Sequence, residues 1–207
     1  MIRSVSSSHV DRRGVLPRSS WSDWTALLVV FAACTLSYIT LSGGLPGTFL
    51  LDDAVHLTGV DEVSLTLAEI SRAIREADSG LLGRPISFAL LYITKAVHGN
   101  SPADFKYENI LYHLLTGLML FWLAGRLLQA PCFRNHIPAG WNWPIAAILA
   151  GLWLLHPLHV STVLYAVQRI TQISAIFTIA AILTYVFGRE HLSTYGRFPP
   201  IALAGVL

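Results

Sequence analysis

The chain has 207 residues, 54% of them hydrophobic and 13% charged, with a formal net charge of +2 and a mean hydropathy of +0.56. That is about half the charge of a soluble domain, and the apolar residues fall in long blocks, so a soluble globular domain is excluded. The small net charge gives no footing for nucleic-acid binding, and the two cysteines, Cys34 and Cys132, supply no disulfide framework.

Residues 1–23 are polar and carry Arg3, Arg12, Arg13 and Arg18, which reads as a cytoplasmic tail. The apolar block that follows lacks an Ala-x-Ala cleavage site, so it is expected to stay as an anchor. A first span is placed at 24–42, with Trp21 and Trp24 at one interface and Gly43-Gly44-Leu45-Pro46-Gly47 ending it. A polar outer loop over 43–106 comes next. Within it Val63, Leu67, Ile70, Ile74 and Ala77 recur at helical spacing opposite Glu62, Glu69, Arg72, Arg75 and Glu76, and Asp61 is placed to cap that amphipathic helix. The apolar stretch 85–98 is short for a span and contains Lys95, so an interfacial or re-entrant helix is expected, with Pro85 in its first turn.

Further spans are placed at 107–128, 143–156 and 171–187. Polar loops carrying Arg126 and Arg134, then Arg189, Glu190, His191 and Arg197, separate or follow them. Residues 201–207 read as the opening of a fifth span that is cut short. The whole of 24–200 is therefore predicted to be all-α: a polytopic transmembrane helical bundle with interfacial helices in one large loop. Basic residues concentrate in the tail and in the 126–141 and 188–200 loops, whereas the 43–106 loop is acidic on balance. The positive-inside bias then gives a multi-pass protein of the cell (inner) membrane with its N-terminus in the cytoplasm.

On that topology a few polar groups gather at the outer face. Asp52 and Asp53 lie about ten residues past the first span, Arg84 precedes the interfacial helix, His156 and His159 sit where the third span emerges, and Gln168 and Arg169 where the fourth begins. Ionisable groups at such depths are costly unless paired, solvated or used. A carboxylate there could serve as general base to a hydroxyl, and arginine and histidine could hold a leaving phosphate. A carboxylate pair could instead hold a divalent metal, Mg or Mn. Each residue taken singly also has an ordinary reading: a solvated turn for the aspartates, a polar helix end for the histidines, a snorkelling anchor for Arg84 and a lipid-headgroup partner for Arg169. Zinc on His156 and His159 is disfavoured by Pro157 between them and the lack of a third ligand.

The order of these pieces resembles the GT-C class of membrane glycosyltransferases, and within it the transmembrane and tetratricopeptide-repeat O-mannosyltransferase family and its bacterial relatives. Three segments carry the resemblance: Phe49-Leu50-Leu51-Asp52-Asp53; Gly83-Arg84-Pro85-Ile86-Ser87 with the later Asn109-Ile110-Leu111-Tyr112-His113; and Leu155-His156-Pro157-Leu158-His159 with Val167-Gln168-Arg169. It covers about residues 24–190 and implies a polyprenyl-phosphate sugar donor. It also implies transfer to a protein or glycan hydroxyl on the non-cytoplasmic side. By carry-over, Asp52 or Asp53 would be the base or a metal ligand, and Arg84, His156, His159 and Arg169 would hold the donor phosphate. The family has many more spans, and often helical repeats after them, so the chain is expected to be an N-terminal part. A non-catalytic membrane anchor or assembly protein, or an inactive relic, is the alternative. A transporter would place charges in mid-span, where this chain has none.

Overall fold

A computed structural model describes residues 20–50, 53, 66, 68, 71, 85–133 and 136–195. The N-terminal tail, Asp52, Arg84, most of the 61–77 amphipathic pattern and the 201–207 segment lie outside them. Among the described residues helix is the dominant structure, joined by turns, and there is no strand. The helices are α1 (Ser20–Ser42), α2 (Pro85–His98), α3 (Pro102–Leu127), α4 (Asn142–Leu154), α5 (His159–Leu164) and α6 (Arg169–Tyr195).

Local sequence explains most of the boundaries. Pro85 and Pro102 open α2 and α3, where a missing N–H costs nothing. Pro157 bars α4 from continuing past His156. Three stretches are long and apolar enough to cross a membrane, Trp21–Ser42, Pro102–Leu127 and Arg169–Ser193, which makes this a multi-pass membrane protein. Several boundaries differ from the sequence expectation: α1 begins at Ser20 and not at 24, and α3 at Pro102 and not at 107. The span expected at 143–156 is a helix of 13 residues, about 20 Å long, against a hydrocarbon thickness of about 30 Å. The helix expected to end near residue 187 runs on to Tyr195. There Glu190 pairs with Arg126, and the Arg126 guanidinium lies over the Phe187 ring at 5.0 Å, so the polar residues after 187 are tied to α3.

Helix α3 is the central post: α1, α4, α5, α6 and α2 all pack on it, and α1 also packs on α4. Lipid is as apolar as the helices, so association rests on close fit and not on hydrophobic burial. The α1–α4 seam is built of Ala26, Ala33, Ala146, Ala147, Ala150 and Gly151, all buried. On α3, Gly117 and Gly125 face Leu154 and Trp143; a Cβ on either would lie 2.4 Å and 2.1 Å from those side chains. The opposite faces are bare: only 22–33% of the most apolar stretch of each long helix is buried, with Leu28, Phe31, Ile39 and Leu152 directed outward. Trp21, Trp24 and Trp141 are exposed near the end of the bundle where α1 and α4 begin, as interfacial aromatics are.

Candidate functional site

Lys106, Asn109 and His113 follow one another at spacings of three and four, which puts them on one face of α3. All three are buried. Each reaches backbone carbonyls of a different neighbouring segment. The Lys106 ammonium donates to the carbonyls of Gly44, Gly47 and Thr48 at 3.3, 2.7 and 3.2 Å. The Asn109 amide donates to those of Val163, Tyr165 and Ala166 at 3.1, 2.8 and 3.5 Å. The His113 Nε2–H donates to Leu154 O at 3.0 Å, and the Ser37 hydroxyl donates to the same oxygen at 3.2 Å. These carbonyls are available because α1 and α4 have ended and α5 is short, so their ladders are incomplete. The stripe therefore gathers the segment leading to Asp53, the segment leading to Arg169 and the end of α4 that leads to His156. Lys106 to His113 spans about 10 Å along the helix axis.

Asp53 is fully buried. One carboxylate oxygen accepts the N–H of Leu50 at 3.2 Å, a reach-back bond like that of a capping box. The other accepts the N–H of Val167 at 2.8 Å. That second bond closes a span of 114 residues in sequence and joins the acidic segment to the start of α6. Asp53 is thus buried and engaged on both oxygens.

Arg169 is also fully buried. Its Nε donates to Asn109 Oδ1 at 3.0 Å, one terminal nitrogen to Thr94 Oγ1 at 2.6 Å and Leu90 O at 3.2 Å, and the other to Phe105 O at 3.1 Å. Glu108 Oε2 lies 3.0 Å from the guanidinium and accepts the Thr94 hydroxyl at 2.6 Å. The rings of Phe105 and Tyr112 lie 5.5 Å from the guanidinium carbon. One side chain so joins α2, α3 and α6. Charge-assisted bonds at five acceptors compensate its removal from water, and they leave the guanidinium without an open side toward a ligand.

The two histidines past α4 are placed differently. His156 is exposed, and its Nδ1 accepts the N–H of Leu158 at 3.3 Å. That bond makes Nε2 the protonated nitrogen of the neutral ring, so an N–H donor faces outward. His159 is half-buried, with its ring centroid 4.4 Å from Trp153, 5.2 Å from His113 and 6.1 Å from His156. Burial first, and the neighbouring His156 second, hold its imidazole below the ordinary value of 6.5. It is neutral at physiological pH and can donate or accept one proton.

Of the residues singled out from sequence, Asp53, His156, His159 and Arg169 stand at the same end of the bundle, and Asp52 and Arg84 lie outside the described residues. Asp53 and Arg169 are buried in hydrogen bonds between segments, whereas His156 is exposed and His159 half-buried. Each Asp53 oxygen accepts one N–H group, and among the described residues no three His, Cys, Asp or Glu side chains are grouped to hold a metal. Lys106, Glu108 and Thr94 are not among the residues chosen from sequence. The signal for Lys106 was present in its spacing to Asn109 and His113. Glu108 and Thr94 gave none, because only the folded chain brings them to Arg169.

No family model matches the chain, and no solved structure matches it. Over 172 residues it is 24% identical to a protein O-mannosyl-transferase of Caenorhabditis elegans. The match takes in 79% of this chain and 23% of that protein, so the chain spans about a quarter of the length of the relative it matches. The likeness is a distant, glycosyltransferase-like one.

Proposed function

We propose that this chain is the N-terminal part of a membrane glycosyltransferase that takes a sugar from a polyprenyl-phosphate carrier and transfers it to a protein or glycan hydroxyl on the non-cytoplasmic side. The observation that carries the reading is the Asp53–Val167 bond. It holds Asp53 beside the segment that bears the Val-Gln-Arg motif and follows the His-Pro motif, although more than a hundred residues separate them. The similarity to the O-mannosyl-transferase supports the same reaction class.

In this reading the residues divide into two groups. Asp52 is the base, because its neighbour Asp53 is buried and committed to two backbone N–H groups. It takes the proton of the acceptor hydroxyl as that oxygen bonds to the anomeric carbon. The bond from that carbon to the phosphate oxygen breaks, and the phosphate leaves with the electron pair, so the anomeric centre is inverted. The outward Nε2–H of His156, with His159 and Arg84, donates hydrogen bonds to the phosphate as its charge grows. Asp53 and Arg169 hold these groups in register. No step requires a metal on the residues described.

The test uses the full-length protein in membranes, supplied with a polyprenyl-phosphate mannose and an acceptor. Asp52→Asn is expected to abolish sugar transfer at unchanged protein level, and His156→Ala to slow it. Undiminished transfer by Asp52→Asn would end the proposal. A parent protein that folds yet transfers nothing would point to an anchor.

A further inference from the structure

Lys106 is 2% exposed and stands in a membrane-spanning helix. A buried ammonium costs several kcal/mol unless it is well compensated, so its retention needs a reason. Its acceptors are the carbonyls of Gly44, Gly47 and Thr48, all within the short segment between the end of α1 and the acidic doublet. It is also within electrostatic reach of Asp53.

A second observation comes from the other side of the contact. A Cβ on Gly47 would lie 2.8 Å from the Lys106 nitrogen and 3.4 Å from Gly44 O. Gly47 does not have a left-handed backbone, so the turn itself would accept any residue. A methyl there would instead have to displace the Lys106 ammonium from its three carbonyls.

We propose that Lys106 is a positioning residue: it pins the 44–48 segment to α3 and so fixes where Asp53 stands relative to the histidines. This rests on the reaction proposed above. The geometry is a three-point clamp on a segment with no helical ladder of its own. Asn109, one turn further along α3, clamps the opposite segment in the same way. The distance between base and phosphate ligands is then set by the separation of two side chains on one rigid helix. Misplacement of a reacting group by about 1 Å costs on the order of a hundredfold in rate.

The experiment uses the full-length protein in nanodiscs, with Lys106→Met, Lys106→Arg and Gly47→Ala. Amide hydrogen exchange is read over 44–50 and 163–166, and transfer from polyprenyl-phosphate mannose is read as kcat and KM. Lys106→Met is expected to speed exchange at 44–50 by tenfold or more while 163–166 stays protected, and to lower kcat at least tenfold with the donor KM within twofold. Gly47→Ala should reproduce both changes, and Lys106→Arg should recover most of them. Exchange at 44–50 equal to the parent's in Lys106→Met would overturn the clamp. Equal loosening at both segments would mean a general loss of stability and would overturn it too. Faster exchange at 44–50 with unchanged kcat would overturn the positioning role. If the parent transfers no sugar, the proposed reaction fails and takes the catalytic half with it, while exchange still judges the clamp.

Discussion

Replacing Arg169 with Met keeps the length and apolar bulk of the side chain but removes every donor from the junction of α2, α3 and α6. Glu108 then loses its cation, and the Leu90 and Phe105 carbonyls and Asn109 Oδ1 lose a partner. Breaking one side of a buried ion pair costs about 3–5 kcal/mol. Glu108 is 26% exposed and can take up water, which argues for the lower end, about 3 kcal/mol. The orphaned acceptors add roughly 1 kcal/mol or more, and they are not independent. Helix α2 should suffer most, because its ties to α3 run through Thr94, Glu108 and this guanidinium. The assay is denaturation of the purified protein in a membrane mimetic, together with amide exchange over 85–98. A local loss of about 3 kcal/mol corresponds to exchange faster by more than a hundredfold. Removing the carboxylate as well, in Arg169→Met/Glu108→Leu, should restore about half of the loss, since no buried charge is left unpaired. If Arg169→Met changes neither the denaturation midpoint nor the protection of α2, the guanidinium is not a structural tie, and the division of roles drawn above is wrong.

Asp53→Asn should lower stability by about 1–3 kcal/mol, because the amide can accept only one of the two N–H groups now bound and turns a donor toward the other; a denaturation midpoint equal to the parent's would contradict it. Gly125→Ala should cost about 1–3 kcal/mol, and more than Gly117→Ala, since the new methyl meets the stiff ring of Trp143 and not the end of Leu154. Equal midpoints for the two variants would refute that ordering. For pH, the folded pKa of His159 lies below the unfolded value, so the folded chain binds fewer protons between the two. Its contribution to stability is whole above about pH 6.5 and is lost as the pH falls toward the folded value. His159→Gln should therefore flatten part of the fall in melting temperature between pH 7 and pH 5, and an unchanged slope would show that His159 carries none of it. Topology can be checked on Cys132, which is exposed. With the N-terminus cytoplasmic, a membrane-impermeant maleimide should label it only after permeabilisation, whereas Ser161→Cys should label in intact cells.

The helical class was legible from the apolar blocks, since a membrane leaves the backbone few other solutions. The opening of α2 at Pro85 was legible for the same local reason that it forms, whereas α3 opens at Pro102, five residues before the span expected at 107. Harder to see were the limits of α4 and α6. The end of α4 is set by Pro157, but its shortness matters only against the length of its neighbours. The continuation of α6 depends on Arg126, 64 residues away from its partner Glu190. At the candidate site the residue types were readable and their roles were not. Asp53 and Arg169 were legible as polar groups of this end of the bundle, but their partners Val167, Glu108 and Asn109 were not. Tertiary partners of that kind leave no mark on local spacing.

The brevity of α4 bears on where any chemistry could happen. Its 13 residues rise about 20 Å, short of a hydrocarbon thickness of about 30 Å. The carbonyls bared where α4 ends and after α5 are answered by Asn109 and His113 of α3. Among the described residues α4 stops beside Ser37 of α1 and Gly117 of α3, while both of those helices run on past it. On the proposed reaction, the donor phosphate would meet His156 at that step, and the acceptor hydroxyl would have to reach it there.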